Sequence, residues 1–386
     1  MPAVARVRVA ALGVCAAAFC SAGVSSCGST GGSSVTASGS TLSIYVSVPP
    51  GGGGPVAQDV IDAEQLAFQQ QGSAAIGKFR IKLVKVQKPE LSDNARTAIQ
   101  DTSAVAYLGE IVPGDSAQSI GITNAQDLLE VSPTDNALEL TQTTAAIPNT
   151  PKRYYESLKT YGRTFTRVVP SSGAEAKADV QAMKSLGVTR LYLTGDGSPY
   201  GVALETAVRT AAQAQGLSVG AGAAGADAMF YAGSSAAAAG QAISRAQATS
   251  PNLKIFAPSA LAFAGTLPPL SGSVYVSAPG FLPKELSASA KQFVSQFKSS
   301  FGHDPAPQAI FGYEAMSAVI AVLREAGTSA NDRATVVKDF LALHNRSSVL
   351  GTYSINSNGD TSLTAFVLNR VRGGALVPFK SVQLQG

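Results

Sequence analysis

Side chains able to do covalent or acid–base chemistry are sparse in this sequence. The only imidazoles are His303 and His344, 41 positions apart, and no His-x-x-x-His pair exists to grip a metal. They read as two unrelated histidines of surface or core. All three thiols, Cys15, Cys20 and Cys27, fall near the N-terminus, so the rest of the chain can form no disulfide, Cys-ligated zinc site or Cys nucleophile. Glycines 195, 197 and 201 sit in a strand–turn–helix stretch, Leu191 to Gly201. Such a turn at a helix N-terminus can cradle a pyrophosphate. Here the spacing is Gly-x-Gly-x-x-x-Gly, and the following strand-like run, Leu217–Ala221, ends without the acid a ribose needs. Gly51–Gly54 lacks the Lys-Ser/Thr of a phosphate loop and reads as a flexible turn. No catalytic residue, metal or cofactor is expected. Asp59, Glu110, Asp115, Asp135 and Asp196 are expected on loops able to face a cleft, each taken singly as a solvated loop acid.

One thiol has a different chemistry in prospect. Arg6 and Arg8 precede an apolar, Ala-rich run from Val9 to Val24, the layout of a secretory signal peptide. The run ends in Val24-Ser25-Ser26-Cys27, which resembles the bacterial lipobox, where the Cys receives lipid. Residues 28–40 are almost all Gly, Ser, Thr and Ala and read as a flexible tether. The expectation is a signal peptide over 1–26, a lipidated Cys27 with its tether over 27–40, and an extracytoplasmic domain held at the bacterial cell membrane. Removing Arg6 and Arg8 from the formal net charge of +4 leaves +2, too little for a dedicated nucleic-acid binder. In that bacterial setting the sequon Asn345-Arg346-Ser347 is a chance match.

With 45% hydrophobic and 14% charged residues, positions 41–386 can bury a large core and suit two domains. The pattern alternates between short strand-like and longer helical runs. Leu42–Val48, Phe79–Val86, Val105–Leu108 and Leu128–Val131 predict strands. Between them lie helices over Pro55–Gln71, from a Ser92 cap to about Thr102, and from about Asp115. The series restarts with strand Phe165–Val169, helix Gly173–Leu186, strand Arg190–Leu193 and helix Tyr200–Gln215. Further strands follow at Leu217–Ala221, Met229–Ala232, Lys254–Ala257 and Val274–Val276, with a Pro-rich Leu267–Leu270 before the last. Helices at Ser287–Phe301, Gln308–Ala326 and Asn331–Leu343 precede β-like pieces at Gly351–Ile355, Leu363–Arg370 and Pro378–Leu384. Such alternation implies βαβ units and parallel sheets.

Several segments in chain order carry a family resemblance. Asp196-Gly-Ser-Pro-Tyr200-Gly201-Val-Ala-Leu204 resembles the D-x-x-x-Y-G-x-x-L element of type 1 periplasmic binding proteins, the branched-chain amino-acid-binding family. Gly54–Gln58 with Asp62–Gln65 is similar to its first loop and helix, and Tyr107-Leu-Gly109 to the end of its third strand. Ser132–Thr141 resembles its ligand loop and E-L-T turn, Phe311–Ala315 its Y-D-A helix, and Gly351–Tyr353 with Gly359-Asp360 its closing elements. The resemblance spans nearly all of 41–386.

It implies an α/β fold of two Rossmann-like lobes, parallel sheets flanked by helices, joined by a three-crossover hinge near Arg167, Ser277 and Thr352. Lobe 1 would comprise 41–167 and 281–352, and lobe 2 168–280 and 353–386. A small-molecule ligand would lie between the lobes, and an ABC transporter permease would receive it from a monomeric binding protein. By resemblance Ser116 stands in for a hydroxyl that Pro113 cannot supply, Thr134 and Asn136 hold a ligand carboxylate, Tyr200 projects into the cleft, and Ser234 lies where a second aromatic contact often sits. Ser259 occupies the position of the family's ammonium-binding Glu. Lacking that charge, the site is expected to prefer carboxylates, amides or other polar solutes to leucine, isoleucine or valine. A sensing or interaction lipoprotein of the same fold is the alternative.

Overall fold

The computed structural model describes residues 35–72, 74–155, 162–264 and 273–384. Cys27 and the Pro-rich Leu267–Leu270 lie outside them. Two sheets organise the chain. The first takes β1 (Thr41–Ser47), β2 (Arg80–Val86), β3 (Ala104–Leu108), β4 (Leu129–Ser132) and β5 (Phe165–Arg167) in the order β2-β1-β3-β4-β5, all parallel. The central β3, Ala-Val-Ala-Tyr-Leu, reads as a continuous apolar run buried on both faces, whereas edge strand β2 alternates with Arg80, Lys82 and Lys85. The helices flanking this sheet are α1 (Gly54–Gln71), α2 (Leu91–Gln100) and the short α3 (Ile120–Asn124), followed much later in the chain by α7 (Ala288–Phe301), α8 (Ala309–Ala326) and α9 (Arg333–Leu341). Leu42, Ile44 and Val46 of β1 are buried against α1 and α8, each burial worth about 1.5–3 kcal/mol.

The second sheet is built from β6 (Arg190–Gly195), β7 (Ser218–Gly220), β8 (Ala228–Ala232), β9 (Lys254–Ala257), β10 (Val274–Pro279), β13 (Ala365–Arg372) and β14 (Ala375–Gln383), ordered β14-β13-β10-β9-β8-β6-β7. Strands β6 to β10 run parallel, and the last two pair antiparallel. Helices α4 (Ser172–Ser185), α5 (Pro199–Ala214) and α6 (Ala236–Thr249) flank it. A small antiparallel pair, β11 (Arg346–Ser348) and β12 (Gly351–Tyr353), completes the described strands. This is the two-lobed α/β architecture expected.

Local chemistry sets the helix starts. Ser171, Ser198, Ser235, Ser287 and Asp332 cap α4, α5, α6, α7 and α9 through their side-chain oxygens. Ser92 does not act as a cap: α2 begins at Leu91, with no side-chain cap from Glu90. The helix expected from Asp115 is a 3-10 turn, Asp115–Gln118, leading into α3. The tether expectation is corrected for its C-terminal part. Ala37 is buried and donates to the Asn331 carbonyl at 2.7 Å, Ser38 donates to Thr102 at 2.9 Å, and the Val35 carbonyl accepts from Arg333 at 3.0 Å. Small side chains let this stretch lie flat on the domain as well as hang free of it.

The chain passes between the sheets three times, after Arg167, after Pro279 and between Tyr353 and Ala365. The second passage follows Pro279, since Ser277 still pairs with Leu368 inside β10. The first and third meet in a buried ion pair. Arg167 Nη2 lies 2.6 Å from Asp360 Oδ1, and Nε donates to the same carboxylate at 2.8 Å. Arg167 also donates to the Ala137 carbonyl at 2.7 Å and to Thr141 Oγ1 at 2.5 Å. Thr141 and Gln142 donate to Asp360 at 2.9 and 2.8 Å. Burial raises the Asp360 pKa, but the Arg167 guanidinium and these hydrogen bonds outweigh it and hold the carboxyl below its usual range.

Candidate functional site

The site is assembled from loops at the C-terminal ends of parallel strands, where ligands of open α/β sheets bind. From the first sheet come the loop after β3, carrying Ser116, and the loop after β4, carrying Thr134 and Asn136. From the second come the start of α5 with Tyr200, the turn after β8 with Ser234, and the turn after β9 with Ser259.

The first-sheet loops are tied to each other. Asp135 accepts from the backbone N–H of Gly114 at 2.7 Å, Ser116 at 2.8 Å and Ala137 at 3.0 Å. Ser116 Oγ accepts from the Glu110 N–H at 3.1 Å, and Thr134 Oγ1 donates to the Ile111 carbonyl at 2.5 Å. The donor expected of Thr134 for a ligand carboxylate is therefore committed inside the protein. Glu110 and Asp135 are buried, contrary to the solvated reading, and Asp59 lies in α1, where it accepts from the Ala306 N–H at 2.7 Å. Burial pushes Glu110 up to about 8, and the charge of Asp115 adds to it against hydrogen bonds from Ser47 and Tyr107.

Asn136 joins the two halves. Its Nδ2 donates to Glu175 Oε2 at 2.6 Å and to Ser259 Oγ at 3.2 Å. Glu175 Oε1 accepts from the Ser259 N–H and from Ser277 Oγ, both at 2.7 Å. Ser277 Oγ also lies 3.1 Å from Asp179 Oδ2. Position 259 thus carries no charge of its own, but its N–H donates to a carboxylate from α4, none of the five loop acids expected to face the cleft. Glu175, Asp179 and Glu139 escaped the sequence reading. A signal was present: Glu175 and Asp179 stand four apart on α4, in phase with the buried Met183.

Tyr200 is 3% exposed and its ring packs in the core of the second sheet, while its Cβ would be met at 3.3 Å by a side chain placed on Gly114 of the other half. The Ser198 cap and Pro199 at the first helical position fix where α5 begins and so where Tyr200 points. Burial foremost, then the carboxylates of Glu175, Glu139, Asp135 and Asp179, drive its hydroxyl pKa well above the usual value. The Tyr200 hydroxyl, Asn136 Oδ1, Glu139 Oε2 and Asp179 Oδ1 are buried without a hydrogen-bond partner among the described residues. Ser234 stands apart from this group. It is half-buried, and its N–H donates to Asp196 at 3.0 Å.

Two open pockets lie away from these residues. One of about 780 Å³ runs along α4 and α5 past Lys177 and Thr210, and one of about 400 Å³ sits at the β10–α7 passage among Phe281, Phe293, Ile310 and Val367. No group of three or more His, Cys, Asp or Glu among the described residues could hold a metal ion.

A sequence model of one family, described as periplasmic binding protein, matches residues 51–375. The chain belongs to the periplasmic binding protein family. Solved structures of this binding protein's fold agree. A leucine-binding protein from Thermotoga maritima superposes with a TM-score of 0.71 at 19% identity, covering 89% of this chain and 99% of its own. An ABC transporter substrate-binding protein from Desulfitobacterium hafniense in complex with Leu gives 0.71 at 18% identity, over 88% and 100%. A solute-binding protein of an ABC transporter from R. palustris in complex with benzoate gives 0.66 at 16%, over 89% and 96%. No curated protein sequence matches the chain. The two sheets with three passages are thus the two lobes of the type 1 fold, and the matched proteins bind solutes and are not enzymes.

Proposed function

We propose that this chain is the extracytoplasmic substrate-binding protein of an ABC importer, capturing a small polar organic solute between its lobes. The observation carrying this reading is the cluster at the strand ends, where a first-sheet loop and helices α4 and α5 of the second contribute buried polar atoms with no hydrogen-bond partner among the described residues. Asn136, Tyr200 and Ser259 are its centre. Ser116 and Thr134 shape the loop that presents Asn136, and Ser234 lies at the rim. The domain works as a monomer. Lipid on Cys27 holds it at the membrane.

Purified full-length protein, incubated with the polar small-molecule fraction of a bacterial extract and re-isolated, tests the binding reading by its melting temperature. A solute at a hundred times its Kd stabilises by about 2.7 kcal/mol, so a clear upward shift is expected. An unchanged melt across all fractions contradicts it. For the anchor, Cys27→Ala is expected to leave the membrane fraction or accumulate as uncleaved precursor. Unchanged, salt-resistant membrane association would refute lipidation.

A further inference from the structure

The unpartnered atoms of the cluster have a common chemical character. Asn136 Oδ1 can only accept hydrogen bonds, Glu139 Oε2 and Asp179 Oδ1 accept when ionised, and the Tyr200 hydroxyl can accept as well as donate. A ligand meeting them must bring donors.

Charge points the same way. Four buried carboxylates, Asp135, Glu139, Glu175 and Asp179, lie within electrostatic reach of the Tyr200 hydroxyl. The buried guanidinium of Arg167 is engaged by Asp360, Thr141 and the Ala137 carbonyl. Ser277 Oγ carries one hydrogen but faces both Glu175 and Asp179, so the pair is relieved when Asp179 takes a proton and the hydroxyl donates to Glu175. Burial and the Glu175 charge favour that proton on Asp179. Burial raises Glu175 and Asp135 as well, against three donors to Glu175 and three backbone amides on Asp135 that favour their ionised forms. A cation brought among these carboxyls favours their ionised forms and offsets the cost of burying their charge.

We propose that the solute is a net-cationic amine, with its ammonium donating to Glu139, the Asn136 amide oxygen and the Tyr200 hydroxyl. Glu175 supplies a second negative charge close by, while holding Asn136 so that its oxygen faces the ligand. This inference rests on the solute-binding reading and narrows it, and it reverses the preference for carboxylates expected from Ser259 alone. An anion would meet like charge at the ionised carboxylates and an acceptor at the Asn136 amide oxygen. A simple branched-chain zwitterion would bring one ammonium but also a carboxylate.

Isothermal titration calorimetry on the full chain, stripped of retained solute, decides it with 1,4-diaminobutane and agmatine as cations, L-leucine as zwitterion and benzoate as anion. At least one amine is expected to bind about tenfold or more tighter than leucine and benzoate. Glu139→Gln is expected to weaken that amine by about tenfold or more without lowering the ligand-free melting temperature. Tyr200→Phe, which keeps the packed ring, is expected to weaken it by a smaller factor. Leucine or benzoate binding as tightly as either amine overturns the inference and leaves solute binding intact. If no compound binds a protein that still melts cooperatively, both the inference and the reading beneath it lose.

Discussion

Asn136 Nδ2 and Glu175 Oε2 lie 2.6 Å apart, linking the loop after β4 in one lobe to the first turn of α4 beside the other. Three donors converge on this one carboxylate, and two of them, from Asn136 and Ser259, come from segments more than 120 residues apart in sequence. Asn136→Ala removes a buried donor to a charged acceptor and is expected to cost about 1.5–3 kcal/mol in chemical denaturation. A change under about 0.5 kcal/mol would mean that the bridge contributes nothing to holding the lobes together.

Arg167 and Asp360 lock the first chain passage to the third. Asp360→Asn keeps the shape but strands a buried guanidinium, with an expected loss of about 3–5 kcal/mol. Because the folded Asp360 pKa is depressed, its contribution is complete above the unfolded value of about 3.9 and disappears as pH falls through the folded value. The variant is therefore expected to lose the acid-induced drop in stability below about pH 4 that the parent shows. Parallel acid melting curves for the two proteins would contradict this.

The opposite sign holds for Glu110, pushed up to about 8 by its burial. The folded state binds its proton more tightly than the unfolded chain, so stability is highest below the unfolded pKa and declines as pH rises from about 4.5 towards 8. The ligand-free protein is expected to melt at least about 2 °C higher at pH 5 than at pH 8. Glu110→Gln is expected to flatten that slope, and an unchanged slope in the variant would assign it elsewhere.

The fold was legible because its signals are periodic. Strands such as Lys254–Ala257 and helices such as α1 and α8 follow from apolar spacing, and ordered motifs marked the two lobes. Failures came where the chain departs from period. The loop after β3 looked helical from Asp115, but Gly114 at φ 94° and the Asp135 bonds turn it tightly into a 3-10 turn. The site was legible only in part. Asn136 and Ser259, expected from motif position, are brought into contact, and Tyr200, expected to project into the cleft, packs its ring in the core; the acid bonded to Ser259 comes from α4, which no alignment of loops would suggest. Whether Glu175 meets Ser259 depends on the packing of α4 against β10, β13 and β14, a tertiary fact with only the Glu175–Asp179 spacing as its trace. Val35–Ser40 misled for another reason: a Gly- and Ser-rich composition shows the absence of bulky side chains, not the absence of backbone partners.

The central claim, that the two lobes close on one small molecule, is tested most directly by native mass spectrometry of the full chain as purified. The account predicts a single small-molecule adduct per chain that disappears when the protein is denatured and is depleted in Asn136→Ala. A spectrum of bare protein, combined with no mass gained after incubation with the polar extract, would contradict it.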